Sequence, residues 1–150
     1  MSRLRALVVL AALWLAACGS NPPSPELVAL RHNVVLEALG QVGRPYRAGG
    51  ASPDGFDCSG LVQYVFAQAG IRLPRSAREQ HAKGNAIDVD DAEPGDLLFY
   101  RIGGKVDHVG IYLGDGEALH APGTGRAVIV APIGLPYWKE RFVDAVRVLE

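Results

Sequence analysis

Hydrophobic residues in the first half of the chain recur every three or four positions, which is the spacing of an amphipathic helix. The clearest run begins at Cys58, and its apolar positions are Leu61, Val62, Val65, Phe66 and Ala69. Gly70 follows as a typical left-handed residue at a helix C-terminus. Cys58 lies three and four positions before the first two members of this stripe, so it continues the same face. The pattern therefore predicts a helix that carries a thiol in its first turn.

Two further helices flank this one in the sequence. Ser24-Pro25 combines a capping residue with proline at the first helical position, and the predicted helix ends at Gly40 or Gly43. A short helix is predicted from Ser76-Ala77-Arg78-Glu79, which has the pattern of a capping box. His81 lies on this short helix, where no neighbour is expected to orient it, so we predict a solvated side chain.

Beyond Pro94 the apolar period changes to two, which is typical of strands. Five strands are predicted, at residues 96–102, 108–113, 117–121, 127–133 and 142–149. The connections between successive strands are short, which favours an antiparallel meander. Helices followed by strands indicate an α+β domain, in which N-terminal helices pack on a five-stranded antiparallel sheet.

The position of Cys58 favours a nucleophile over a structural residue. Unpaired N–H groups and the positive end of the helix dipole stabilise an anion and lower the pKa of a cysteine there. A free cysteine is otherwise often a small buried hydrophobe. The polar residues Asp57 and Ser59, and Gly60 with no side chain, suit contact with a ligand better than core packing. A base is then required elsewhere in the chain.

Two histidines on adjacent predicted strands are candidates for that base. The alternation of its strand places His108 on the same face as Gly110, a glycine that leaves space above the sheet. A two-residue turn at Asp115-Gly116 would put His108 and His120 on opposite faces. A three-residue turn, Gly114-Asp115-Gly116, or a bulge with the same effect, pairs Gly110 with His120 and brings both imidazoles together on one face. We predict this second arrangement.

Other interpretations of these residues stay open. Cys58, His108 and His120 are also three possible zinc ligands. No fourth ligand stands out and attack by a cysteine–histidine pair is the simpler chemistry, so we predict no metal. Tyr46, in the loop before the cysteine helix, is either half-buried packing or a hydroxyl near an oxyanion.

Composition limits the possible functions. A chain of 150 residues, 49% of them hydrophobic, supports one domain with its own core. The formal charge is −1, with no basic run and no arginines interleaved with aromatic residues, so no nucleic-acid partner is expected. We expect a monomer that needs no cofactor.

The first 18 residues have the pattern of a secretory signal. Arg3 and Arg5 precede an apolar run that is too short to span a bilayer. Its end, Leu15-Ala16-Ala17-Cys18, resembles the bacterial lipobox, which implies cleavage before Cys18 and acylation of the cysteine. An ordinary signal with an accidental cysteine is the alternative.

This reading of the N-terminus also predicts a location. Gly19 stands where an aspartate resembles an inner-membrane retention signal, so in a host with two membranes we expect an outer-membrane anchor facing the periplasm. Residues 19–25 are then a tether, and residues 26–150 are the folded domain. If Cys18 is acylated, Cys58 is the only free thiol of the mature chain.

Several segments together resemble the NlpC-type family of bacterial cell-wall cysteine peptidases. They follow the family's order over about residues 27–149, and the Asp-Cys-Ser-Gly and His-Val-Gly-Ile-Tyr segments carry most of the resemblance. The matching segments are Pro45-Tyr46-Arg47-Ala48-Gly49-Gly50, Phe56-Asp57-Cys58-Ser59-Gly60-Leu61-Val62, Leu73-Pro74-Arg75, Pro94-Gly95-Asp96-Leu97, His108-Val109-Gly110-Ile111-Tyr112-Leu113-Gly114 and His120-Ala121-Pro122.

The resemblance implies a compact papain-like fold with Cys58 as nucleophile and His108 as its base. It implies that His120 orients His108, and that Tyr46 lies near the oxyanion. We expect Cys58 to exist partly as a thiolate paired with an imidazolium at His108. The residues expected to contact a charged peptide are Asp57, Ser59 and Arg75.

The implied substrates are peptidoglycan stem peptides. They would be cut between γ-D-glutamate and a diamino acid, or at cross-links. Two alternatives remain: a catalytically inactive lipoprotein that binds peptidoglycan, and an amidase or acyltransferase on a related fold.

Overall fold

The computed structural model describes residues 21–150, so the predicted signal segment and Cys18 lie outside the described residues. The helices in this range are α1 (Pro25–Leu39), α2 (Cys58–Gln68), α3 (Ala77–His81) and α4 (Pro136–Lys139), with a single 3₁₀ turn at Val89–Asp91. The strands are β1 (Ala51–Ser52), β2 (Gly55–Phe56), β3 (Asn85–Ile87), β4 (Leu97–Arg101), β5 (Val106–Gly114), β6 (Glu117–His120), β7 (Ile129–Pro132) and β8 (Phe142–Arg147). Among the described helices, none is long and apolar enough to cross a membrane.

Local capping chemistry sets the starts of α1 and α3. The Ser24 hydroxyl accepts a hydrogen bond from the Leu27 N–H at 3.2 Å, and Pro25 opens α1, as predicted. In α3 the Ser76 hydroxyl accepts from the Glu79 N–H, and the Glu79 carboxylate accepts from the Ser76 N–H, both at 3.3 Å. The predicted capping box is therefore confirmed.

Six strands form one antiparallel sheet, in the order β3-β8-β4-β5-β6-β7. The α+β class is confirmed, and β4 to β7 form the predicted meander. The sheet has six strands instead of the predicted five, because β3 adds an edge strand. The predicted fifth strand is β8, which pairs with the free side of β4 instead of continuing the meander. β3 has only three residues beside an acidic loop, which is too short for a period of two to be detected. β1 and β2 form a separate hairpin against α2.

The sheet separates two apolar clusters. One face packs against α1 and α2 and carries Leu97, Phe99, Val109, Ile111, Leu119 and Val146. The other face is covered by Trp138 of α4 and carries Leu98, Tyr100, Ala118, Ala131 and Ala145. This second, smaller cluster surrounds the histidines described below.

A buried ion-pair network ties α1 to the sheet. Asp96, at the start of β4, is fully buried, and its carboxylate accepts hydrogen bonds from Arg31 at 3.0 Å and from Arg147 at 2.8 Å. The Glu93 N–H donates to the same carboxylate at 2.8 Å. These contacts fix the N-terminal end of β4, whereas His108 pairs with Tyr100 near the other end of this strand.

Candidate active site

Cys58 is the first residue of α2, as the sequence predicts. Asp57 is the N-cap, and its carboxylate accepts a hydrogen bond from the Gly60 N–H at 2.7 Å. A Cβ at Gly60 would collide with the Gly50 carbonyl, so only glycine allows the preceding loop to pack this closely on the helix. The start of α2 is thus fixed by the Asp57 cap and by the loop that packs on Gly60.

The Cys58 thiol lies against the first residues of β5. Its Sγ is 3.8 Å from the carbonyl oxygen of Asp107, and the Val109 N–H is also directed at it. These two residues precede and follow His108 in the chain. No hydrogen bond joins Sγ to the His108 ring in the structure. The thiol must therefore turn away from Asp107 to transfer its proton to the His108 ring. Such contacts often tighten only when substrate binds.

A bulge, rather than a longer turn, sets the register of the two histidine strands. Gly114 pairs with Glu117 around a two-residue turn in which Asp115 and Gly116 have φ of 52° and 74°. Tyr112 then pairs with Ala118, so the strand shifts by one residue between these two pairs. The three-residue turn is wrong, but the alternative prediction of a bulge with the same effect is confirmed.

The two imidazoles consequently share one face of the sheet. His108 Nε2 and His120 Nδ1 are 3.0 Å apart, and the ring planes are inclined by 21°. A Cβ at Gly110 would lie 2.6 Å from Cε1 of His120, which explains why a glycine is needed on this face. The predicted histidine pair is confirmed, and His108 Nδ1 is the ring nitrogen that the pairing leaves for another partner.

Burial favours neutral forms of all three groups. It lowers the pKa of His108 to about 4, and the opposing effect of the Asp107 carboxylate is smaller. Burial, followed by the neighbouring His108, places the pKa of His120 well below its ordinary value. Burial also raises the pKa of the Cys58 thiol, although the Val109 N–H acts in the opposite direction. Burial therefore acts against the expected thiolate–imidazolium pair, since it opposes charge on both the Cys58 thiol and the His108 imidazole.

The three predicted peptide contacts are joined to one another. Arg75 donates hydrogen bonds to the Asp57 carboxylate from Nη1 at 2.9 Å and from Nη2 at 2.7 Å. Its Nη1 also donates to the Ser59 hydroxyl at 3.0 Å. Burial acts to raise the pKa of Asp57, but the Arg75 and Gly60 hydrogen bonds outweigh it and the pKa is lowered. This cluster braces the start of α2, and its contact with substrate stays a prediction.

A cleft of about 420 Å³ opens above Cys58. Its lining includes Tyr46, Asp57, Cys58, Ser59, Ser76, Ala77, Arg78, Lys105, Val106 and Asp107. Tyr46 is half-buried, and burial, followed by the nearby Cys58 and Asp57, raises the pKa of its hydroxyl. A larger cavity of about 560 Å³ lies near the C-terminal half of α2 and contains none of the predicted site residues.

The zinc alternative does not fit this geometry. His108 Nε2 and His120 Nδ1 face each other at hydrogen-bond distance, so these nitrogens have no free lone pairs that converge on a shared ion. Within residues 21–150, no group of three or more His, Cys, Asp and Glu side chains is arranged to hold a metal.

Sequence reasoning missed two aromatic residues of the site. Trp138 stacks on His120 with ring centroids 3.9 Å apart, and Tyr100 meets the same imidazole edge-on at 5.6 Å. Pro136 at the first position of a short helix was the available signal for α4. Tyr100 lies opposite His108 in the β4–β5 register, which could be derived only after the sheet order was known.

His81 is a second correction. Its Nε2 lies 2.9 Å from the Asp144 carboxylate of β8, and its ring meets Phe99 edge-on. The expectation that nothing orients this residue is wrong, because its partner is distant in sequence. His81 takes no part in the cysteine site.

An α+β domain with a helix-start cysteine beside a histidine pair defines the papain-like class of fold and site. The chain belongs to the NlpC/P60 family, whose sequence model matches residues 43–147. The resemblance inferred from the sequence is therefore confirmed.

Named relatives and solved structures agree with this assignment. The chain is 42% identical over 115 residues to the murein DD-endopeptidase MepH of Escherichia coli K12, covering 73% of this chain and 42% of that protein. It is 44% identical over 105 residues to the E. coli K12 murein DD-endopeptidase MepS/murein LD-carboxypeptidase, covering 69% and 55%. A crystal structure of an NlpC/P60 family protein from Bacillus cereus superposes with a TM-score of 0.77 at 32% identity, covering 87% of this chain and 42% of that one. The chain thus spans about half the length of these relatives.

Proposed function

We propose that this protein is a cysteine endopeptidase that hydrolyses peptide bonds in peptidoglycan stem peptides or cross-links. The observation that carries the proposal is the position of Cys58. It lies at the start of α2, and its thiol contacts the backbone of Asp107 and Val109, the two neighbours of His108 in β5. The hydrogen-bonded His108–His120 pair supplies the base and the group that orients it. The names of MepH and MepS, both murein endopeptidases, support the substrate class.

The proton balance follows from the histidine pair. For His108 Nδ1 to accept the thiol proton, Nε2 must carry hydrogen and donate to His120 Nδ1. In this scheme both reacting groups start neutral, in keeping with the burial that opposes charge on each of them, and the proton moves to His108 as Cys58 attacks the peptide carbonyl. His120 holds the orientation of the imidazolium that forms.

The rest of the cycle uses groups at the same helix start. The Cys58 N–H and the Tyr46 hydroxyl stabilise the oxyanion of the tetrahedral intermediate. His108 then protonates the leaving amine, which leaves a thioester on Cys58. Finally His108 takes a proton from water, and the hydroxide formed cleaves the thioester and regenerates the thiol.

The charges of the cleft support an anionic peptide as substrate. Both carboxylates in the cleft are engaged within the protein: Asp57 binds Arg75, and Asp107 accepts from the Ile102 and Gly103 N–H groups, each at 2.7 Å. Among residues 21–150, Arg78 and Lys105 line the cleft without an ion-pair partner. Two cations are therefore available to the carboxylates of a stem peptide.

The test is digestion of purified peptidoglycan, followed by mass spectrometry of the released muropeptides, with Cys58→Ala as the matched control. Cleavage at cross-links converts dimers to monomers, whereas cleavage after γ-D-glutamate shortens the stem itself. We expect one of these products from the native protein and neither from the variant.

Other products would separate the alternatives. Binding to peptidoglycan without cleavage by the native protein would identify an inactive wall-binding fold. Release of intact stems from the glycan, or transfer of an acyl group, would indicate an amidase or acyltransferase. Each of these results contradicts the endopeptidase proposal.

The envelope location is a separate proposal that rests on the N-terminal sequence. We propose that Cys18 is acylated and anchors the chain in the outer membrane, facing the periplasm, because Leu15-Ala16-Ala17-Cys18 resembles a lipobox. Metabolic labelling with a radioactive fatty acid should mark the native chain and not Cys18→Ser. Equal labelling of both, or of neither, would contradict the anchor.

A further inference from the structure

Trp138 forms a flat cover over the histidine pair. It belongs to α4, which follows β7, and it is only 5% exposed. Its ring is nearly parallel to His120, at 3.9 Å and 6°, and is inclined by 25° to His108 at 5.2 Å. The indole is therefore stacked on both imidazoles, more closely on His120 than on His108.

Among residues 21–150, no carboxylate binds either ring of the pair. Tyr100 contributes only its ring, at 5.8 Å from His108 and 5.6 Å from His120. The His120 Nε2 and the Tyr100 hydroxyl are both buried without a hydrogen-bond partner in the structure. On the thiol side, Asp107 is the charged neighbour of His108, and its carboxylate binds the Ile102 and Gly103 N–H groups instead of a ring nitrogen.

This environment poses a problem for the proposed reaction. His108 must become positively charged in the transition state, and burial opposes that charge. A second, neutral histidine stabilises an imidazolium less than a carboxylate would. An indole face within about 6 Å attracts a cation, and most strongly when the cation is desolvated. Trp138 satisfies this distance for both imidazoles.

We propose that Trp138 is a positioning residue, which fixes the His108–His120 pair by stacking and stabilises its protonated state through the indole face. This role rests on the proposed peptidase function. In many catalytic triads a carboxylate orients the histidine and stabilises its protonated form, and Trp138 would supply part of this effect here. The interaction strengthens only when the pair is charged, so it acts on the transition state more than on substrate binding.

The test compares Trp138→Phe with Trp138→Leu on a muropeptide substrate. We expect kcat to fall about threefold in the phenylalanine variant and about tenfold or more in the leucine variant, with KM nearly unchanged. Lys139→Leu is the matched control, since Lys139 lies on the same helix, is exposed and makes no ring contact with Trp138. Its kcat should stay within about twofold of the native value.

The two variants differ in aromatic character while both remain apolar. Equal loss of kcat in the phenylalanine and leucine variants, or a loss that follows their melting temperatures, would show a purely structural role and overturn the proposal. A rise in KM with unchanged kcat would also overturn it.

A second readout does not depend on catalysis. NMR titration of the histidine ring protons should show midpoints that are lower in Trp138→Leu than in the native protein, because the imidazolium loses its indole partner. Midpoints that are unchanged or higher would mean that Trp138 acts by excluding water, which contradicts the proposal. If the native protein does not cleave peptidoglycan, the peptidase function fails while this titration still decides the role of Trp138.

Discussion

Two polar clusters are buried in the same sheet, and they satisfy their polar groups in opposite ways. The Asp96 carboxylate receives hydrogen bonds from Arg31, Arg147 and the Glu93 N–H. The His108–His120 pair has one internal hydrogen bond and leaves His120 Nε2 without a partner. A carboxylate held by two arginines and a backbone N–H ties elements of the fold together, whereas a neutral pair with one internal hydrogen bond beside a thiol is available for chemistry.

The difference also shows in what covers each cluster. Asp96 is enclosed by charged and backbone donors from α1, β8 and the preceding turn. The histidines are enclosed by the rings of Tyr100 and Trp138, which contribute no hydrogen bond to them. Removing a member of the first cluster should cost stability, and removing a member of the second should cost activity.

The largest expected effect is on activity, from His108→Ala. Loss of the general base should lower kcat by about 10³-fold, within the usual range of 10² to 10⁴ for proton transfer. The free energy of unfolding should change by no more than about 2 kcal/mol, because no charge loses its partner. Muropeptide kinetics and urea unfolding check both halves. A His108→Ala variant that is destabilised but still active would show that the histidine cluster serves stability and not activity.

Asp96→Ala should show the opposite pattern. It leaves the Arg31 and Arg147 guanidinium groups in a buried site without their carboxylate, which typically costs about 3–5 kcal/mol. The exposed Asp90→Ala is the control and should stay within about 0.5 kcal/mol. Urea unfolding at pH 7 measures both. A loss below about 1 kcal/mol for Asp96→Ala would show that the network is dispensable.

The dependence of stability on pH should report the histidine cluster. The pKa of His108 falls from its ordinary value of about 6.5 when unfolded to about 4 when folded. Between these values the unfolded chain binds more protons, so the free energy of unfolding decreases as the pH falls from 6.5 to 4. The shift of His108 alone corresponds to roughly 3 kcal/mol.

The control for this prediction is His108→Gln, which should make the curve between pH 6.5 and 4 shallower; His120, whose pKa is also lowered by burial, accounts for the slope that remains. The salt-bridged Asp57 contributes mainly at lower pH, because its pKa is lowered. Identical slopes in the native protein and the variant would place the pH sensitivity elsewhere.

The smallest effect is expected from His120→Ala. Its neutral ring orients His108 without taking the proton itself, so kcat should fall about 10- to 10²-fold, less than for His108→Ala or Cys58→Ala. Kinetics of the three variants under the same conditions give the ranking. Equal losses in all three would mean that His120 is as necessary as the base.

The sequence predicted those parts of the fold and site that depend on local patterns. The capping residues Ser24 and Ser76 mark helix starts, and the apolar stripe after Cys58 marks the central helix. A period of two predicted the histidine strands, and the need for both rings on one face led to the bulge beside Gly114.

Contacts between distant segments could not be predicted. Arg31 and Asp96 are 65 positions apart, and nothing local indicates their ion pair. The same holds for β8, which pairs with β4 instead of extending the meander. It holds also for Trp138, which lies on a helix while its partner His120 lies on β6. The effect of burial on the pKa of Cys58 and His108 could not be predicted for a related reason, since burial arises only when the whole domain packs.

The most direct test of the account is an alkylation titration of Cys58. A Cys18→Ser chain would be treated with increasing iodoacetamide, and residual peptidoglycan cleavage plotted against the fraction of Cys58 modified, as measured by peptide mass spectrometry. We predict a straight line that reaches zero activity at one label per chain. Full modification of Cys58 with cleavage retained would contradict its role as the nucleophile.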